Sequence, residues 1–236
     1  MKKLAVTIAL AALLAGCDNS SAPLSFTPEM ASFSNEFDFD PLRGPVKDFT
    51  QTLINEKGEV SKRVTGTVST EGCFDTLELH DLEANTGMAL VLDANFYRDA
   101  ETQQQKIKLQ GKCQLAELPA AGVSWDTDDQ GFIVRAHGKE MEVKYRYDAD
   151  GYPLGKTTVS GDQQLSIAAT PSKDKRKKLD YSAVSLLNNK PLGSVKQSCE
   201  YDRHHNPVSC ELVIQDKSVK PAVEHRYTIK NSIDYY

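Results

Sequence analysis

Polar and apolar side chains alternate residue by residue through much of this chain, and a period of two restricts the backbone to β-strands with one face turned inward. Met141-Glu142-Val143-Lys144-Tyr145-Arg146-Tyr147 shows the pattern without a break, and Lys106-Ile107-Lys108-Leu109-Gln110 and His225-Arg226-Tyr227-Thr228-Ile229-Lys230 repeat it. Glu211-Leu212-Val213-Ile214 is a less regular copy. Met88 to Leu92 reads as a buried strand, continued by Asn95 to Asp99. The best helix candidate, Asp99 to Gln105, has no apolar residues at i, i+3 and i+4. The expected fold is mainly β with little helix: an antiparallel meander of hairpins, forming a twisted sheet or half-barrel.

The turns between these strands share a chemistry. Tyr147-Asp148-Ala149-Asp150-Gly151-Tyr152-Pro153-Leu154 aligns with Tyr201-Asp202-Arg203-His204-His205-Asn206-Pro207-Val208. Ile54-Asn55-Glu56-Lys57-Gly58 and Thr127-Asp128-Asp129-Gln130-Gly131 are looser copies. The Asp or Asn side chain accepts from backbone amides at the start of the turn, and glycine supplies the positive φ near its end, where His205 stands in one copy. The pattern resembles the tyrosine-aspartate repeats of large bacterial surface and toxin proteins, which implies an architecture and no activity.

At the N-terminus, Lys2 and Lys3 precede the apolar run Leu4 to Leu14, which is too short to span a bilayer. Ala15-Gly16-Cys17 closes it and resembles the lipobox of bacterial lipoproteins. That resemblance implies cleavage before Cys17, diacylation of its thiol, acylation of the new amino group, and a chain facing the periplasm. Asp18 resembles the signal for retention in the inner membrane. The expected organisation is a signal peptide at 1–16, a polar tether at 17–25 and one β-rich domain at 26–236. The 236-residue chain has a net charge of −5, and losing Lys2 and Lys3 with the signal makes it more negative by two. An acidic surface argues against nucleic acid and against broad adhesion to anionic headgroups, so the bilayer is reached through Cys17.

Four cysteines remain for an oxidising compartment, where an even count favours disulfides. Cys199 and Cys210 flank the His204-His205 turn at nearly equal distances, which sets them opposite one another across a hairpin. Elimination leaves Cys73 with Cys113.

The candidates for chemistry are few. Asp126, Asp128 and Gln130, followed by Gly131, resemble the opening of a calcium-binding EF-hand loop, but His137 holds the twelfth position, where a bidentate glutamate belongs. They are expected to form an acid-rich turn with, at most, a weak ligand or metal site. Ser172-Lys173-Asp174-Lys175 matches Ser-x-x-Lys in letters only, because it follows Pro171 in a charged loop. That loop, to Lys178, reads as solvated or as a docking patch for an anionic partner. The sequence nominates no catalytic residue, no metal centre and no cofactor.

Long segments nonetheless have a familiar look: Leu24–Thr50 (LSFTPEMASFSNEFDFDPLRGPVKDFT), Tyr152–Thr158 (YPLGKTT), Gln197–Asp202 (QSCEYD), Lys220–Glu224 (KPAVE), Tyr227–Asn231 (YTIKN) and Ile233–Tyr236 (IDYY). On these the chain resembles the YnfC-like lipoproteins of enteric bacteria, a family with no assigned biochemical function. The resemblance implies a cell-membrane lipoprotein and adds no reaction. Three readings follow. The first is a non-enzymatic module that binds an envelope protein or assists assembly through an exposed sheet. The second is a glycan- or lipid-ligand-binding module, with Trp125, Tyr145 and Tyr147 as its platform. The third is a periplasmic hydrolase whose acids, from segments 125–131 and 148–151, converge in space. A closed, apolar-lined cavity favours the second, a cleft holding two facing acids the third, and a flat aromatic patch rimmed by polar groups the first.

Overall fold

The computed structural model describes residues 24–236, so the signal, Cys17 and nearly all of the tether lie outside the described residues. One α-helix precedes sixteen strands. Helix α1 spans Pro28–Phe37. It starts where the Thr27 Oγ1 accepts from the Met30 amide at 3.3 Å, with proline at its first position and Glu29 in the first turn. It ends at Asp38, whose φ of 55° is left-handed.

The strands are β1 (Val46–Asn55), β2 (Val60–Val68), β3 (Phe74–Asp81), β4 (Thr86–Asp93), β5 (Phe96–Asp99) and β6 (Gln105–Gln110). They continue through β7 (Gln114–Leu118), β8 (Val123–Thr127), β9 (Ile133–His137), β10 (Met141–Tyr147) and β11 (Pro153–Ser160). The last are β12 (Gln163–Pro171), β13 (Tyr181–Leu187), β14 (Lys190–Tyr201), β15 (Pro207–Asp216) and β16 (Val223–Tyr235). Each pairs antiparallel with its sequence neighbours, and β1 also pairs with β16, from Val46 opposite Tyr235 to Asn55 opposite Tyr227. The expected meander therefore closes fully into a barrel, and no described strand keeps a free edge.

Two local expectations are corrected. Asn95 to Asp99 does not continue Met88 to Leu92; β5 folds back on β4, with Asp93 opposite Phe96. Asp99 to Gln105 is a turn in which Asp99 Oδ1 accepts from the amides of Glu101 and Thr102, so its polar residues serve a hairpin.

The outer wall is polar. Thr67 and Thr76 lie across β2 and β3 with their hydroxyls 2.8 Å apart, Arg135 meets Glu142 at 2.7 Å, and Arg226 meets Glu211 at 2.8 Å. Most apolar side chains point inward, with Val184, 49% exposed on the outer face of β13, an exception. Helix α1 lies inside, with six consecutive residues, Met30 to Asn35, buried. Phe33 stacks on Phe74 at 4.7 Å between ring centres and meets Tyr97 edge-on at 5.7 Å. The helix and these rings pack into a core drawn from β1 to β10 and fill that side of the barrel.

One end of the barrel, the base, is stapled and plugged. Cys73–Cys113 ties the β2–β3 loop to the β6–β7 loop, with Cα atoms 5.8 Å apart. Cys199 and Cys210 are directly opposed on β14 and β15, with Cα atoms 4.0 Å apart. Both disulfides follow the pairing expected from the sequence. Phe26, Ala31, Tyr152 and Leu179 form a second apolar cluster at this end, capped by the Arg43 guanidinium 4.3 Å above the Phe26 ring.

Candidate functional site

The half of the barrel that the helix does not fill is hollow. A cavity of about 380 Å³ lies between the segment following α1 and the inner faces of β1, β2 and β11 to β16. Its walls follow from the alternation of the strands: Ala169 faces Ala183, Ala183 faces Val195, and Leu212 and Ile229 line the adjoining strands. Inward-facing residues grow more accessible away from the base, from Gln197 and Leu212, both buried, to Leu187, 36% exposed. The lumen therefore opens at the end that carries the β13–β14 and β15–β16 turns.

The floor is polar. Asp40 sits there because its backbone is held by Gln51: its amide donates to Gln51 Oε1 at 3.0 Å, and Gln51 Nε2 donates to its carbonyl at 2.6 Å. The carboxylate Oδ2 accepts from Gln197 Nε2 at 3.0 Å. What surface Asp40 retains faces the lumen rather than bulk solvent, and desolvation pushes its pKa from 3.8 up to about 6, against the lowering effect of the Gln197 hydrogen bond. Burial also raises the phenols of Tyr152 and Tyr181, both on the lumen wall.

Two lysines reach in from the wall to the C-terminal end of α1, which has no basic residue in its own last turn. Lys62 Nζ donates to the carbonyl of Asp38 at 2.8 Å, and Lys156 Nζ donates to the carbonyl of Asn35 and to Asp38 Oδ1, each at 2.9 Å. They complement the negative pole of the helix. Burial lowers the Lys62 pKa, while the Asp38 charge partly offsets it.

Asp126, Asp128 and Gln130 are not brought together as ligands. Asp126 is on the outer face of β8, 3.8 Å from Arg135 and 3.5 Å from His137. Asp128 Oδ1 accepts from the amides of Gln130 and Phe132 at 2.9 and 3.0 Å. The other copies of the turn repeat this geometry. Asn55 accepts from Lys57 and Glu59, Asp148 from Asp150 and Tyr152, and Asp202 from His204 and Asn206. The penultimate residue has positive φ in each: Gly58, Gly131, Gly151 and, at 62°, His205. Among the described residues, no three of His, Cys, Asp and Glu converge as a metal set.

The aromatic platform named from the sequence is not available to a ligand. Trp125 and Tyr145 are 4% and 6% exposed in the helix-filled half, where the Tyr145 hydroxyl bonds Glu36. The acids of 148–151 face lysines rather than the acids of 125–131: Lys178 bonds Asp148 and lies 3.3 Å from Asp150, and Lys175 lies 2.9 Å from Asp150. These contacts also bind the basic 171–178 loop to the barrel base. Sequence reasoning missed Asp40, Gln51 and Gln197, which meet only when the barrel closes; an acid three residues beyond a helix has no local signature.

A sequence model of the uncharacterised protein family UPF0257 matches residues 1–236. A protein of Salmonella dublin named UPF0257 lipoprotein YnfC is 69% identical over 236 residues, all of both chains. Its namesake in Escherichia coli O127:H6 is 71% identical over 227 residues, 96% of each chain. Among solved structures, a porin-like protein from Bacteroides uniformis aligns over 80% of this chain and 96% of its own, with 10% identity and a TM-score of 0.40, too low to establish a shared fold.

Proposed function

Since this chain belongs to the uncharacterised UPF0257 family and its relatives are named lipoproteins, we propose that it is a membrane-anchored lipoprotein whose barrel holds one small amphiphilic ligand in its lumen. The observation behind the binding reading is the cavity. Protein interiors close-pack and leave few voids larger than a water molecule. An apolar-walled space of about 380 Å³ with convergent polar groups at one end falls in the size range of small-molecule sites. Closure of the barrel leaves an envelope protein the outer sheet face rather than a strand edge to dock on, and the lumen reading is preferred for its cavity.

The anchor is Cys17, carrying a diacylglycerol and an amide-linked palmitate, and Asp18 retains the protein in the inner membrane with the barrel on the periplasmic side. Several acyl chains are needed for stable attachment. The chain enters the barrel at its base, where the Phe26 amide donates to the Asp150 carbonyl at 2.9 Å. Asp18 to Leu24 can span at most about 25 Å. The plugged base therefore lies near the bilayer, and the lumen can open away from it.

The reading is tested with the full lipoprotein in nanodiscs, titrated with octanol while the methyl resonances of Ile167 and Ile229 are followed. Saturable shifts at both, lost in an Ala183→Trp variant that fills the lumen, are expected. Unmoved methyls, or shifts unchanged by Ala183→Trp, would refute lumen binding.

A further inference from the structure

The floor of the lumen holds acceptors that the protein does not satisfy. Asp40 receives one side-chain donor, Gln197 Nε2, and forms no ion pair with a lysine, arginine or histidine among the described residues. Gln197 is 2% exposed, and its Oε1 has no donor at all. Turning the amide over cannot relieve this. Nε2 already donates to Asp40 Oδ2 at 3.0 Å and to the Leu179 carbonyl at 3.2 Å, and exchange would set Oε1 against both oxygens. Lys62 and Lys156 are engaged at the end of α1, and Arg43 donates from Nη1 to the Lys175 carbonyl at 2.8 Å although its Nε has no partner. A desolvated carboxylate beside an orphaned carbonyl oxygen is costly unless a donor-rich cation arrives.

We propose that the lumen ligand is a cationic amphiphile, a primary amine on a single apolar chain, with its ammonium on the floor between Asp40 and Gln197 Oε1. Its chain runs along Ala169, Ala183, Val195 and Ile229 toward the mouth. The assignment rests on the lumen-binding reading above and adds the chemistry of the head group. An ammonium offers three donors and a full charge, enough for Asp40 and Gln197 Oε1 together. An alcohol offers one donor and no charge. A carboxylate offers no donor and repels Asp40.

The test compares octylamine, octanol and octanoate, three heads on one tail, in the full lipoprotein in nanodiscs, again through the Ile167 and Ile229 methyl resonances, which separate lumen binding from partition into lipid. The expected order is octylamine tightest, by at least about tenfold over octanol, with octanoate weakest. Asp40→Asn should weaken octylamine by a comparable factor. Octanol binding as tightly as octylamine, or octanoate binding tighter, overturns the head-group assignment and leaves lumen binding standing. No saturable shift with any of the three overturns both. The ranking in the wild-type protein decides the matter without the variant.

Discussion

Replacing Asp40 with asparagine should make the protein more stable at neutral pH, although it removes a hydrogen-bonded group from the interior. Folding transfers the carboxylate to the lumen floor and raises its pKa from 3.8 to about 6. Because the folded value lies above the unfolded one, the protonated form favours the folded chain. That contribution is complete below 3.8 and is lost as the pH rises through about 6. A shift of about two units at about 1.4 kcal/mol each makes ionised Asp40 a cost of up to about 3 kcal/mol, reduced to the extent that lumen water solvates it. Asparagine keeps an oxygen for Gln197 Nε2 and removes the charge. Urea unfolding of both proteins at about pH 8 and about pH 3, compared at equal slope, reads the difference directly. The variant should exceed wild type by up to about 3 kcal/mol at the higher pH and match it at the lower. A gap independent of pH, or a variant less stable at about pH 8, would refute the desolvated carboxylate. A residue that weakens the fold at the pH where it is charged belongs with residues held for binding. A bound amine should narrow the gap by stabilising only the wild type.

Removing the Cys73–Cys113 crosslink with paired alanines should lower stability by about 4 kcal/mol on the chain-entropy estimate for its 40-residue separation, and a loss under about 1 kcal/mol in denaturant melts would show that the β2–β3 and β6–β7 loops are held without it. His205→Gly should stabilise by about 0.5 kcal/mol, because the φ of 62° costs a side chain more than glycine's added freedom in the unfolded chain; a lower unfolding midpoint would contradict the shared turn geometry. Gly66→Val should destabilise by about 1–3 kcal/mol, since a Cβ there would stand 2.5 Å from Phe49 Cε1, and adding Phe49→Ala should cost less than the two single changes summed.

The strands and their turns were legible because both signals are local. Alternation fixes which face a side chain takes, and an Asp or Asn two and four residues ahead of free amides fixes the turn, so four loops could be aligned before their geometry was known. The Cys199–Cys210 pairing follows from that hairpin. Helix α1 was not legible through periodicity because a helix enclosed by a barrel needs no apolar stripe opposite a solvent-facing side; Met30 to Asn35 are all buried, Ser32, Ser34 and Asn35 included. Its trace is the Thr27-Pro28-Glu29 start, a capping residue followed by proline and an acid. Closure and the floor were beyond local reading for one reason. Val46 finds Tyr235, and Asp40 finds Gln197, only in the finished barrel.

The pairing of β1 with β16 also sets the order of events in the life of each molecule. The first strand to be made is completed by the last, so from the arrival of β1 until that of β16 the sheet carries two unsatisfied edges. Chain delivery at ribosomal speed makes that interval on the order of tens of seconds. Loop closure over nearly the whole sequence cannot begin earlier. Closure of the barrel therefore waits for delivery of the last strand, and a chain ending before β16 would keep both edges open to any neighbouring strand.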